Sequence, residues 1–394
     1  MNVTIERASG TIIAPPSKSA LHRRLILNAA AGCFDAPPSA CEDAQVTAEA
    51  LTSLRKGLPV DCKESGSTLR FLLPVSTLFS GGSFFGSASL ASRPILPLLA
   101  VLREHDAEVS SDRLPLSVSG TLQPGAYSLA GGISSQFFSG LLLTLPFLDG
   151  DSRIEWTAQP VSEGYITLTE RILKEHGVTV TRTDTGWFVP GGQKPCALPV
   201  SVEGDWSCAS PMLILGAILG SVTVTGLDPK SVQPDRAVTD VLRLCGAHVS
   251  VSDDAVTVSK GRLKGFKFDG DPAPDLVPAL AALACASDGE SVLYRLGRLR
   301  DKESDRFSAL LSLLRSLGAD FETERDDTIV IHGHGVLLGG TADVPHDHRM
   351  VMAAALMSAV STKPVTIGDP GCVRKSYPNF FNDFITLGGR IDAI

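Results

Sequence analysis

The run Asp301, Lys302, Glu303, Ser304, Asp305, Arg306 sets an amine, several carboxylates and a guanidinium within six residues. Such a loop can hold a proton donor, a proton acceptor and an anion clamp together. The same residue types also make an ordinary helix entry, with Ser304 or Asp305 capping a helix over residues 307–317. Other segments share the character. PPSKSALHRRLILNAA places Ser17, Lys18, Ser19 and Arg23 at the start of an apolar helix, where free N–H groups and the helix dipole can seat a phosphate or carboxylate. ESGSTLRFLLPV repeats the design with Gly66, Ser67, Thr68 and Arg70, and Arg93 stands before Pro94. GGISSQFFSGLL offers Ser134, Ser135 and Gln136, neutral donors suited to a phosphate, and Ser162 and Tyr165 recur in VSEGYITL.

The second half adds carboxylates. Asp205 precedes an apolar helix over residues 209–219, and Asp275 precedes another in GDPAPDLVPALAALAC, as a helix cap or as a base for a hydroxyl. His346, Asp347, His348 and Arg349 crowd before a further apolar helix, and Lys375 lies before a proline-marked entry. The two histidines lack the i, i+4 spacing of a helical metal site, so no metal is expected. Lys18, Arg23, Arg70, Arg93, Lys302, Arg306, Arg349 and Lys375 all fall near expected helix starts, although the dipole favours basic groups at helix ends. Helix N-termini converging on strongly anionic ligands would explain the misplacement.

The elements that must hold these groups follow one grammar: amphipathic helix, tight turn, β-branched strand. The turns fall at Gly57, Asp106, Gly177, Gly246, Gly318 and Gly388, at intervals of 49, 71, 69, 72 and 70 residues. Alternating helices and strands imply an α/β fold, and six units divide into two domains of three. The 394 residues also exceed what one core usually serves. Crossings near residues 13–17 and 202–205 divide the chain into a domain over 14–203 and another from 1–13 plus 204–394. The active site is expected in the cleft between them.

The chain is 43% hydrophobic and 20% charged, with a formal net charge of -8. That balance excludes long disorder and argues against a nucleic-acid or anionic-membrane binder. The eight cysteines form no CxxC pair and no zinc spacing. With no apolar stretch of signal-peptide or membrane-span length, cytoplasm is the expected compartment.

In order along the chain, PSKS with Arg23, SGSTLRF, Arg93-Pro94, SSQF, KESDR, DHRM and KSYPNFF closely resemble the 5-enolpyruvylshikimate-3-phosphate synthase family, the 3-phosphoshikimate 1-carboxyvinyltransferases. The resemblance covers essentially the whole chain. It implies two similar globular domains, each of three βαβαββ units, joined by two crossover strands. It implies transfer of the enolpyruvyl group of phosphoenolpyruvate to the 5-hydroxyl of shikimate 3-phosphate, with no cofactor, no metal and a monomeric enzyme. Carried over by position, Lys18, Ser19, Arg23, Ser134, Ser135, Gln136, Ser162, Asp275 and Lys302 bind shikimate 3-phosphate. Lys18, Gly66, Arg93, Gln136, Arg306, Arg349 and Lys375 bind phosphoenolpyruvate. Asp275 is expected to take the hydroxyl proton and Glu303 to protonate the methylene carbon, with Lys18 as the alternative donor. Lys63, Glu64 and Arg298 depart from the family's usual residues, and the retained Gly66 implies competition by the herbicide glyphosate. A related transferase acting on UDP-N-acetylglucosamine is the nearest alternative, although it typically carries a reactive Cys or Asp where this chain has Arg93-Pro94.

Overall fold

A computed structural model describes residues 1–35, 41–132 and 134–392. Contacts divide the chain into two compact units: an inserted unit, Lys18–Val202, and a flanking unit, Met1–Ser17 with Glu203–Ile394.

Five four-stranded sheets are present among the described residues, and all five share one order of strand directions, a parallel pair followed by two antiparallel pairings. In the flanking unit, Lys267–Asp269 runs parallel to Gly289–Tyr294, which pairs antiparallel with Thr328–Gly333, which pairs antiparallel with Phe321–Glu324. Helices Val277–Ala286 and Arg306–Ser316 lie between successive strands, giving a βαβαββ unit. The inserted unit repeats this pattern from Val60–Asp61 and from Ala126–Leu129. Its helices Lys18–Ala30 and Glu42–Arg55 precede them.

The other two flanking sheets are completed by the N-terminal strands. Ser9–Ile13 pairs parallel with Ser221–Thr225, so one repeat starts before the inserted unit and resumes after it. Asn2–Thr4 pairs antiparallel with both Val365–Thr366 and Arg390–Asp392, supplying the third strand of the last sheet.

The spaced turns have a common physical basis. Gly57, Asp106, Gly177, Gly246, Gly318 and Gly388 all have positive φ, from 65° to 114°. A left-handed residue there ends a helix and sends the chain back as a strand, which costs glycine little.

Helix sequences decide which helices are central. Trp206–Leu219 and Val277–Ala286 are each buried everywhere except the last residue, and His348–Met357 is buried throughout. Such helices are apolar on every side and suit a core. Gly164–Glu175 buries Ile166, Leu168, Thr169, Ile172 and Leu173 while Glu170, Arg171 and Lys174 remain less enclosed, so it covers one face. The helix expected from residue 209 begins at Trp206, because Asp205 accepts the Cys208 N–H at 2.8 Å and caps it. The helix expected over 307–317 is Arg306–Ser316, capped by Asp305.

Candidate functional site

In the inserted unit, Lys18 opens the Lys18–Ala30 helix and its Nζ lies 3.0 Å from Asp43 at the start of the Glu42–Arg55 helix. Five residues on, Arg23 is buried. It donates to Thr169 Oγ1 at 2.7 Å, the Ser19 carbonyl at 2.6 Å, the Tyr165 carbonyl at 2.9 Å and Ser139 Oγ at 3.3 Å. All four acceptors are neutral. Burial therefore pulls its pKa from 12.5 down to about 9, and a bound anion would relieve that penalty.

Ser65 caps the Gly66–Val75 helix by accepting the Thr68 N–H, and Gly66 is its first residue. A Cβ built on Gly66 would fall 2.6 Å from Arg93 Nη1, so only glycine lets this guanidinium lie against the helix start. Arg70 donates to Gln136 Oε1 at 2.8 Å, and Gln136 Nε2 donates to Ser67 Oγ at 2.8 Å. Ser134 caps the Ser135–Leu142 helix and both serines are buried. Ser162, at φ 48°, precedes the Gly164–Glu175 helix, which also carries Tyr165 and Thr169 to Arg23.

The flanking unit gathers the remaining groups around one guanidinium. Arg306, fully buried, donates to Asp275 Oδ1 at 2.9 Å, Glu303 Oε2 at 2.6 Å and both oxygens of Asp347, at 2.8 and 3.2 Å. Burial opposes the charge on Arg306, but Asp347, Glu303 and Asp275 outweigh it and raise its pKa. Lys302 Nζ is 3.4 Å from Asp275, Arg349 Nη2 is 3.9 Å from the same carboxylate, and Lys375 Nζ is 3.8 Å from Glu303. Burial alone would raise the Asp275 pKa, yet Lys302, Arg306 and Arg349 hold it well below the usual carboxylate range. The Arg349 guanidinium also approaches Cys208 Sγ, at 3.9 Å.

The expected site residues thus form two sets, one in each unit. Their placement on helices is less uniform than the sequence implies. Lys18, Arg306 and Arg349 occupy the first two positions of their helices, while Arg23 and Arg70 sit more than a turn inside. Arg93 and Lys302 lie in connecting turns, and Lys375 closes a short 3-10 segment, Pro370–Lys375. Arg306, expected to face a ligand anion, directs its hydrogen bonds to protein carboxylates instead. Of His346, Asp347 and His348, His346 turns away to Asp369, while Asp347 holds Arg306 and the buried His348 keeps its Nδ1 3.7 Å from Asp347. Among the described residues no three His, Cys, Asp or Glu groups are placed to hold a metal ion.

Several participants have no role in the sequence reading: Asp43, Ser139, Thr169, and Asp347 as a partner of Arg306. All four lie 25 to 146 residues from the cations they contact, where spacing carries no signal. A further buried group, His22, shares a helix face with Lys18 and is driven from 6.5 down to about 3, chiefly by burial.

A family model described as EPSP synthase (3-phosphoshikimate 1-carboxyvinyltransferase) matches residues 39–384. The 3-phosphoshikimate 1-carboxyvinyltransferase of Clostridium kluyveri is 36% identical over 418 aligned residues, covering all of this chain and 98% of that protein. The protein of the same name from Methanocorpusculum labreanum is also 36% identical, over 98% of both chains. Among solved structures, EPSP synthase from Acinetobacter baumannii superposes over the whole of both chains with a TM-score of 0.81 at 23% identity. The enolpyruvyl transferase NikO from Streptomyces tendae gives a TM-score of 0.73 at 16% identity, over 99% of this chain and 98% of its own. At those identities the structural likeness speaks for the fold.

Proposed function

The chain belongs to the EPSP synthase (3-phosphoshikimate 1-carboxyvinyltransferase) family, and on that premise we propose how its residues divide the reaction. The reaction transfers the enolpyruvyl group of phosphoenolpyruvate to the 5-hydroxyl of shikimate 3-phosphate and releases inorganic phosphate.

The inserted unit takes the acceptor's phosphate. Ser134, Ser135 and Ser162 supply neutral donors, Ser19 and Arg23 hold the ligand, and the uncompensated charge on Arg23 favours a dianion. Gly66, Arg93 and Gln136, with Lys18, address phosphoenolpyruvate, and glyphosate would compete there. Arg349 and Lys375 add cations for the same ligand, and Lys302 with Asp275 meets the acceptor's hydroxyls.

Protonation of the methylene carbon develops positive charge at the adjacent carbon, which the 5-oxygen attacks as its proton leaves. The resulting tetrahedral phosphate then loses a methyl proton and its phosphate. Asp275 is assigned to the hydroxyl proton and Glu303 to the methylene carbon, with Lys18 as the alternative donor. The observation that carries this reading is that one buried guanidinium, Arg306, bonds both carboxylates. Arg306 therefore fixes the separation of base and acid, and contributes to phosphoenolpyruvate binding through the charge it places beside them. Held so low, Asp275 is a weak base until ligand anions draw Lys302 and Arg349 away. Substrate binding would raise its basicity when it is needed.

A monomer is proposed because every assigned group comes from one chain. A cytoplasmic setting is proposed because all eight cysteines are free thiols. No described helix is long and apolar enough to cross a membrane.

The NikO likeness shows that this fold serves more than one enolpyruvyl transferase, so the acceptor needs its own test. Phosphate release should follow mixing with phosphoenolpyruvate and shikimate 3-phosphate. Release only with UDP-N-acetylglucosamine would overturn the assignment.

A further inference from the structure

A chain of buried hydrogen bonds behind the inserted unit's ligand groups joins three helices. His22 Nδ1 lies 2.7 Å from Thr47 Oγ1, which lies 2.6 Å from Thr68 Oγ1, which donates to Ser65 Oγ at 2.8 Å. His22 belongs to the Lys18–Ala30 helix, Thr47 to Glu42–Arg55, and Ser65 and Thr68 to the start of Gly66–Val75. None of the four side chains is more than 1% exposed.

The contacts have a direction. Thr68 spends its proton on Ser65, so the 2.6 Å contact with Thr47 takes the Thr47 proton in preference to the longer, 3.3 Å contact from Thr47 Oγ1 to the Asp43 carbonyl. The 2.7 Å contact between Thr47 and His22 then needs a proton on His22 Nδ1. In this arrangement Nε2, which is buried and has no partner, is left as a bare lone pair. The opposite arrangement would strand an N–H donor in the interior, the rarer and costlier defect. Burial, with the charges of Lys18 and Arg23 and against that of Asp43, also favours a lone pair over a second proton.

The two ends of the chain abut ligand groups. Lys18 and His22 are one turn apart, and Asp43, the partner of Lys18, lies one turn before Thr47. At the far end, Ser65 caps the helix that begins with Gly66 and Ser67. We propose that Thr47, donated to by His22 and donating to Thr68, is a positioning residue that locks the Lys18–Asp43 pair in register with the Gly66 helix start, and so tunes phosphoenolpyruvate binding. This rests on the reading of Lys18 and Gly66 as phosphoenolpyruvate contacts. Thr47 touches no substrate.

Steady-state kinetics test it. Thr47→Val keeps the shape and removes the hydroxyl, so it should raise KM for phosphoenolpyruvate about tenfold, with a smaller change in kcat and in KM for shikimate 3-phosphate. Thr47→Ser should restore the native KM, as should His22→Asn, whose amide can replace the Nδ1 donor. Thr47→Val and Thr68→Val should not add, because either breaks the same chain. An unchanged KM in Thr47→Val, or additive effects, overturns the proposal. Gly66→Ala is the control. If it raises KM while Thr47→Val does not, only the positioning role fails; if neither variant changes KM, the underlying site reading fails as well. Should Thr47→Val not fold, nitrogen-15 NMR of the native enzyme decides. A neutral His22 protonated on Nδ1 agrees, and protonation on Nε2 refutes the chain's direction.

Discussion

Replacing Asp347 with alanine probes the support beneath the proposed acid and base. Its carboxylate is fully buried and accepts from Arg306 Nε and Nη2, from Ser304 Oγ at 3.0 Å and from the Arg349 N–H at 2.9 Å. Removing one partner of a buried ion pair costs about 3–5 kcal/mol, and losing a helix cap costs about 1 kcal/mol. Arg306 keeps Asp275 and Glu303, so its charge is not orphaned and the pair falls at the low end of that range. The sum is about 4 kcal/mol. Asp347→Asn retains the cap and the volume but loses the charge, and should cost about 2 kcal/mol less than the alanine variant. Urea unfolding at neutral pH, followed by circular dichroism and compared at matched m-values, measures both. Turnover should fall in each variant, because Arg306 would no longer hold Asp275 and Glu303 at a fixed separation. An alanine variant within 1 kcal/mol of the parent would refute the ion-pair reasoning.

Further outcomes follow from other contacts. Glu303→Ala and Asp275→Asn should each lower kcat by about two orders of magnitude or more, and unchanged turnover would remove that residue from the proton transfers. Gly66→Ala should fold, since the clash falls on the flexible end of Arg93, yet bind phosphoenolpyruvate and glyphosate more weakly; isothermal titration reads both. His22 has a folded pKa far below its unfolded value, so the unfolded state takes up the proton first. Its stabilising contribution is complete above about pH 6.5 and is lost as pH falls toward 3, at up to about 1.4 kcal/mol per pH unit. Burial lowers His176 in the same direction. Unfolding free energies between pH 7 and 4.5 should therefore slope less in His22→Asn than in the parent.

The repeat was legible in the sequence because it rests on local physics. A helix that must turn sharply into a strand needs a left-handed residue, and glycine marks five of the six turns in plain view, with Asp106 at the sixth. The ligand motifs were legible for a similar reason. Ser134, Asp205 and Asp305 cap the helices they precede, and caps act within three residues. Which strand completes which sheet was not local. Asn2–Thr4 pairs with residues more than 360 positions away, a register that only the folded chain specifies.

The state of each charge also belonged to tertiary structure. By sequence, Arg23 and Arg306 are equivalent basic groups near helix starts. Folding surrounds Arg23 with neutral oxygens and Arg306 with three carboxylates, moving their pKa values in opposite directions. The amino-acid order by itself determined which groups are present and where helices begin. Three-dimensional packing alone decided which charges are neutralised, because desolvation and Coulomb energy depend on distances between residues far apart in the chain.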